Sequence, residues 1–159
     1  MENKMGVQES LIQDTVSVLD YHQPILVEPS ISVREVTESL RQSGRGCVLV
    51  MDQNQLIGIF TERDLLLRIM GEGLSPDIPV HQVMTKQPTT VQRTETIAQV
   101  IKTMRSGGHR HLPILDETQT PVGVLSVKHI VKYLADHFPQ KVYTLPPDPD
   151  HAPPTREGA

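Results

Sequence analysis

The sequence predicts an α+β protein in which two β-α-β-β-α units pack about a pseudo-twofold axis. The main observation is an internal repeat: the segment from Pro24 to Asp52 aligns without a gap with the segment from Pro88 to Asp116. A second observation is that each copy carries a helical apolar pattern followed by two short apolar strand segments. A unit of this size buries little apolar surface alone, so we expect the two copies to pack their sheet faces together.

The repeat has a constant spacing of 64 residues, which becomes 65 at the end of each copy. Identical residues meet at these spacings: Val27 and Val91, Val36 and Val100, Arg41 and Arg105, Gly44 and Gly108, Asp52 and Asp116, and Gly58 and Gly123. The spacing therefore predicts matching elements in the two copies.

Each predicted element has its own local signal. The helical apolar positions are Val33, Val36 and Leu40 in the first copy, and Ile97, Val100, Ile101 and Met104 in the second. Glycines at Gly44 and Gly107–Gly108 are expected to end these helices. The strands are CVLVM and LIGIF, then LPIL and VGVL, and the closing helices are ERDLLLRIM, which Gly71 is expected to end, and VKHIVKYLADHF. We expect Met70, Met84 and Met104 to fill gaps in the core.

The predicted organisation has four parts. Residues 1–15 form a variable lead-in, 16–73 the first repeat, 80–138 the second repeat, and 139–159 a Pro-rich tail expected to be disordered. Residues 71–79 read as the linker. The segment 10–19 has a modest apolar stripe and is either a lead-in helix or a dimer contact.

Composition excludes several classes of protein. The 159 residues carry a formal net charge of −4, which argues against a broadly basic nucleic-acid binder. Only 3% are aromatic, so the core is expected to be aliphatic. The N-terminus lacks a signal-peptide pattern, and no apolar run is long enough to cross a bilayer. The single cysteine, Cys47, lies in an apolar strand and indicates a buried thiol. We therefore expect a soluble cytoplasmic protein that contacts neither membrane nor nucleic acid.

The stretch GIFTERD, residues 58–64, allows two interpretations. Thr61 and Asp64 have the spacing of a capping box, in which the two side chains satisfy the free N–H groups of a helix start. The same helix start would also favour a phosphate, with Thr61 donating to it and Asp64 accepting from a ribose diol. Gly58 would permit close approach of the backbone, and Ser126 stands at the matching place in the second copy.

The motifs GIFTERD and GVLSVKH, each closing one repeat, resemble the closing motif of CBS domains, and two in tandem resemble a CBS pair, or Bateman module. The pieces VMTKQPTTV, VREVTESL and GHRHLPILD support this resemblance, which covers roughly residues 16–137. It implies a disc-like module with two clefts between the repeats. It also implies binding of an adenine nucleotide (AMP, ADP or ATP), frequent dimerisation and no catalysis by the module itself.

The resemblance also implies site residues. In the first cleft these are Ile59 beside the base, Thr61 at phosphate, Asp64 at ribose, and Gln87 and Thr89 on the other wall. Gly46 and Cys47 stand where some members carry basic residues, so Arg45 or Arg63 is expected to compensate. In the second cleft the implied residues are Tyr21, Gln23, Ile25, Arg110, His111, Val124, Ser126 and His129, where His129 replaces the expected Asp.

Other chemistries have weaker support. His109 and His111 lack further ligands at a convincing spacing, so no metal site is expected. No nucleophile elbow or Cys–His pair is evident, so no catalytic residue is assigned and the protein is not expected to be an enzyme. No cofactor is required.

The sequence thus favours a stand-alone CBS pair that binds an adenine nucleotide and signals to an unidentified protein partner, or through its own homodimer. A first alternative is a sensor of cyclic di-AMP or S-adenosylmethionine. A second alternative is a dimerisation or interaction scaffold that needs no ligand. A third is a module that binds and tunes a redox partner without chemistry of its own.

Overall fold

The computed structural model describes residues 6–139, which form two sheets with helices packed against them. The helices are α1 Val7–Gln13, α2 Val33–Ser43, α3 Glu62–Asp64, α4 Ile97–Gly107 and α5 Val127–His137. The strands are β1 Leu26–Val27, β2 Cys47–Asp52, β3 Gln55–Thr61, β4 Thr85–Lys86, β5 Val91–Gln92, β6 His111–Leu115 and β7 Pro121–Ser126. Short 3-10 turns cover Val16–Val18 and Val80–Gln82. The α+β class and the repeated unit are confirmed. The predicted tail lies outside the described residues, apart from Pro139.

The two sheets repeat one topology. β1 pairs parallel with β2 and β5 pairs parallel with β6, whereas β2–β3 and β6–β7 pair antiparallel. The segment that leads into each repeat pairs with the other repeat's sheet. β4 joins the edge of β3, and His22 forms a bridge with Val124 in β7. This exchange brings the lead-in of the first repeat to the edge of the second sheet.

Helices α2 and α4 have the same kinds of N-terminal and C-terminal cap. Ser32 accepts a hydrogen bond from the backbone N–H of Glu35, and Thr96 accepts one from that of Gln99, so both helix starts are capped. Gly44 and Gly108 follow the helices with φ of 67° and 62°, a left-handed conformation that glycine adopts without steric cost. The predicted helices and their glycine ends are confirmed.

The core is divided among three apolar clusters. One surrounds Phe60 in the first repeat, and another surrounds Leu112 and Leu125 in the second. A smaller cluster of Cys47, Leu49 and Ile59 packs against Val124 of the other sheet. The sheets therefore contact each other through apolar residues, as expected.

The segment after α3 differs from the prediction. Residues Leu65–Met70 form a π-helix, in which the N–H of Gly71 donates to the carbonyl of Leu66. Gly71 has helical dihedral angles, and the left-handed glycine is Gly73. The prediction that Met70 belongs to the core was wrong, because the residue is 70% exposed. Met84 and Met104 are buried as expected.

Within residues 6–139, no helix combines the length and the apolar character needed to cross a membrane.

Candidate functional site

A cavity of about 830 Å³ opens where the two repeats meet. One wall comes from the lead-in of the first repeat, and another from the loop between α2 and β2. The remaining walls come from the starts of α3, β6 and α5 and from β7. The lining residues are Asp20, His22, Gln23, Pro24, Ile25, Gly44, Arg45, Gly46, Cys47, Glu62, Arg110, His111, Val124, Ser126, Val127, Lys128, His129 and Lys132. Because both repeats contribute, a ligand here would contact both at once.

The cavity carries an excess of positive charge. Arg45, Arg110, Lys128 and Lys132 supply cations, and Asp20 and Glu62 supply carboxylates. Lys132 lies 2.8 Å from Asp136 and 3.8 Å from Asp20, so its charge is already offset by these two carboxylates. Within the described chain, Arg45, Arg110 and Lys128 form no ion pair within 4.0 Å. They are the cations left to meet an anionic ligand.

His129 occupies the third position of α5 and acts as part of its cap. The backbone N–H of Ser126 donates to Nδ1 of His129 at 2.9 Å. Since Nδ1 is the acceptor, the neutral ring carries its proton on Nε2 and remains a donor there. The pKa of His129 is lowered, mainly by burial, while Asp20 opposes this effect. His129 therefore caps the helix as an aspartate would, but offers a ligand an N–H instead of a carboxylate.

His111 lies at the contact between the repeats. A Cβ atom on Gly46 would lie 2.8 Å from its Nε2, so only a glycine leaves room for the ring in this position. Burial is the main cause that lowers the pKa of His111; Arg110 and Lys128 also lower it, whereas Glu62 raises it. The ring is thus held toward its neutral form in the free protein.

Most residues implied for the second cleft line this cavity. Gln23, Ile25, Arg110, His111, Val124, Ser126 and His129 are all on its surface. Tyr21 lies elsewhere: its ring covers Gly123, with Cδ2 2.3 Å from the position of an added Cβ, and packs on the core of the second repeat. Its side chain therefore supports the sheet and does not line the cavity.

The residues implied for the first cleft lie outside this cavity. Thr61 and Asp64 bond each other: the N–H of Asp64 donates to Thr61 Oγ1 at 3.1 Å, and the N–H of Thr61 donates to the carboxylate at 2.9 Å. Asp64 also lies 3.6 Å from Arg68. These hydrogen bonds are those of a capping box, the first of the two interpretations of this pair.

The rest of the first cleft is divided between core and surface. Ile59 is buried in the contact between the sheets, and Gln87 and Thr89 are exposed. Gly58 faces Met84, whose sulfur lies 2.2 Å from the position of an added Cβ. The close approach that Gly58 permits is thus used by a core methionine.

Sequence reasoning missed several cavity residues. Lys128, Lys132, Asp20, Glu62 and His22 were not assigned, and Arg45 was expected at the first cleft. The signal for Lys128 was present, since it lies two residues after Ser126 at the start of a helix. His22 was harder to find, because its place depends on the pairing of the lead-in with β7.

Two further chemistries receive no positive support from the geometry. Burial raises the pKa of the Cys47 thiol to about 12, which leaves it protonated and a poor nucleophile at neutral pH. Among residues 6–139, no group of three or more His, Cys, Asp or Glu side chains is placed to hold a metal ion.

The fold defines a pair of CBS domains. The chain belongs to the CBS domain family, whose model matches residues 18–71 and 80–136. The two matches coincide with the two copies of the repeated unit, and they confirm the tandem pair that the sequence motifs indicate.

Three known proteins illustrate the similarity. Meiotically up-regulated gene 70 protein of Schizosaccharomyces pombe is 34% identical over 119 residues, which are 74% of this chain but only 16% of that protein. The CBS-domain containing protein ATU1752 from Agrobacterium tumefaciens is 33% identical with a TM-score of 0.64, and the match covers 69% of this chain and 88% of that one. CBS domain protein PAE2072 from Pyrobaculum aerophilum, solved in complex with AMP, is 24% identical with a TM-score of 0.68, covering 77% and 99%.

Proposed function

We propose that this chain is a regulatory module that binds an adenine nucleotide in the cavity between its repeats. The observation that carries the proposal is the cavity itself, which both repeats line and which holds Arg45, Arg110 and Lys128 without ion-pair partners in the described chain. Cations of this kind bind phosphate by charge-assisted hydrogen bonds. Membership of a family with an AMP-bound member of the same fold adds support.

The chemistry of the walls suggests how a nucleotide would lie. Ile25 and Val124 are apolar and suit the faces of a base, while Gln23 can donate and accept at its edge. The phosphates would lie toward Arg110 and Lys128. The ribose would lie near Ser126 and His129, where Nε2–H of His129 donates to a hydroxyl oxygen.

The proposed signal is a change in how the two repeats are set against each other. A ligand held by both repeats favours the setting in which its contacts are best, and shifts the population toward it. The size of this shift is limited by the difference in affinity between the two settings. The module's output would pass to a protein partner or to its own dimer. No catalytic step is assigned to it.

A second candidate function is a scaffold that works without a ligand. The observation that favours it is the cap formed by Thr61 and Asp64, which gives both side chains a structural role that needs no nucleotide. Exposed apolar side chains at Leu66, Met70, Val127 and Val131 would supply a face for a second copy.

Thermal unfolding with added ligands tests the proposal. The panel is AMP, ADP, ATP, cyclic di-AMP and S-adenosylmethionine, with GTP as the control for the base. A ligand at 100 times its dissociation constant stabilises the folded state by about 2.7 kcal/mol, which is an easily measured shift in Tm. A shift with an adenine ligand supports the sensor, and its rank order identifies the ligand. If none of these ligands shifts the Tm at millimolar concentration, the sensor proposal is wrong and the ligand-independent scaffold is the function that remains.

A further inference from the structure

We propose that the cavity selects a nucleoside polyphosphate over a monophosphate, and that His111 takes up a proton as the phosphate chain binds. The proposal rests on the proposed function and specifies the ligand class and one residue that determines it. It starts from the position of His111, whose ring lines the cavity at the contact with Gly46. Among residues 6–139 the ring has no hydrogen-bond partner, so its nitrogens are available to a ligand.

The charges around His111 come from every wall of the cavity. The groups are Glu62 at the start of α3, Arg45 before β2, Arg110 before β6, Lys128, His129 and Lys132 on α5, and Asp20 and His22 in the lead-in. The charge of Lys132 is offset by Asp136 at 2.8 Å and Asp20 at 3.8 Å. The other charges of the cavity are the cations Arg45, Arg110 and Lys128 and the carboxylate of Glu62. Of these, Arg110, Lys128 and Glu62 act on the pKa of His111. Such a site has a surplus of positive charge before any histidine is protonated.

The same cations explain why proton uptake should follow anion binding. In the free protein, burial lowers the pKa of His111, and Arg110 and Lys128 add to this effect while Glu62 opposes it. A phosphate chain between these cations would cancel their charge and place acceptor oxygens beside the ring. Both changes favour the imidazolium and raise its pKa in the complex.

The sign of the pH dependence follows from this rise. Because the bound pKa exceeds the free pKa, affinity increases as the pH falls through the bound value and levels off below the free value. A longer phosphate chain carries more charge and reaches more of the three cations. ATP and ADP should therefore bind more tightly than AMP, and the difference should grow as the pH is lowered.

Calorimetric titration between pH 8 and pH 6 tests the proposal on the full chain. AMP and ATP are titrated into the wild type and into His111→Gln, which keeps hydrogen bonding but cannot hold a positive charge. His109→Gln is the matched control, because His109 precedes the same strand but does not line the cavity. The terminal phosphate titrates near pH 6 itself, and the comparison between variants removes this contribution.

The expected result is a wild-type affinity for ATP that is severalfold higher at pH 6 than at pH 8, because the bound pKa of His111 exceeds the free pKa. His109→Gln should keep this gain and His111→Gln should lose it. Titration in two buffers of different ionisation enthalpy should show proton uptake by the wild type. If His111→Gln fails to fold, the NMR titration of the wild-type His111 ring replaces it, and its pKa must rise with ATP.

Two outcomes overturn the proposal in distinguishable ways. If AMP binds as tightly as ATP, or His111→Gln keeps the pH dependence, polyphosphate selection through His111 is wrong while nucleotide binding stands. If no adenine nucleotide binds at any pH, the proposed function itself is wrong, and this inference falls with it.

Discussion

Gly46 in the first repeat and His111 in the second are in contact, and a Cβ atom at Gly46 would lie 2.8 Å from His111 Nε2. The two repeats thus meet at a histidine that faces the cavity. A substitution at Gly46 changes the position of this ring without changing any charge.

Replacing Gly46 by alanine should displace His111 and weaken ATP binding about tenfold, roughly the value of one charge-assisted hydrogen bond. The free energy of unfolding should change by less than about 0.5 kcal/mol, because the His111 ring can move away from the added methyl group. Gly6→Ala is the control, since nothing lies within 4 Å of its added Cβ. Calorimetry and thermal unfolding measure both effects. Equal ATP affinity in Gly46→Ala and wild type would show that His111 does not contact the ligand.

Asp64 should act as a helix cap and not as a nucleotide ligand. Asp64→Ala removes the acceptor for the N–H of Thr61 and should cost about 1 kcal/mol of stability. The affinity of this variant for ATP should stay within about twofold of the wild-type value, because Asp64 does not line the cavity. Ser32→Ala, which removes the corresponding cap of α2, should lose similar stability. Loss of nucleotide binding in Asp64→Ala alone would assign the ligand to the first cleft.

His129→Asp exchanges a donor for a carboxylate at one position. Aspartate can still accept a hydrogen bond from the N–H of Ser126, so the free energy of unfolding should stay close to the wild-type value. Its charge would repel phosphate, and we expect ATP to bind about tenfold more weakly while adenosine binds as well or better. His109→Asp adds the same charge outside the cavity. Tighter ATP binding by His129→Asp would mean that this position faces ribose alone.

The exposed apolar side chains on the closing helices should form a homodimer contact. Leu66 and Val131 are related by the repeat spacing of 65 residues and are 58% and 52% exposed. The double variant Leu66→Glu, Val131→Glu should halve the mass measured by light scattering after gel filtration. Ile12→Glu is the control, because Ile12 is 63% exposed on α1. A dimer that survives the double variant would place the contact on another face.

The parts of the fold that the sequence predicted are those with local signals. Ser32 with Glu35 and Gly44 fix both ends of α2 within the helix itself, and Thr96, Gln99 and Gly108 do the same for α4. The π-helical winding after Asp64 has no comparable signal, since Leu65–Met70 is a good sequence for an ordinary helix.

The site was predicted less completely because its walls are far apart in sequence. Tyr21 and His22 are neighbours in an extended segment, so their side chains point to opposite sides. The bridge between His22 and Val124 decides which of them lines the cavity, and this pairing spans about a hundred residues. The resemblance identified Arg110 and His111 but could not show that Arg45 of the other repeat lines the same cavity.

The central claim is that an adenine nucleotide binds in the cavity between the repeats through its cations. The most direct measurement is calorimetric titration of ATP into the wild type, Arg110→Ala and Arg105→Ala. Arg110 lines the cavity, whereas Arg105 is exposed in the last turn of α4 outside it. We predict saturable binding that Arg110→Ala weakens about tenfold and Arg105→Ala leaves unchanged. Equal affinity for all three proteins, or no binding to any of them, would contradict it.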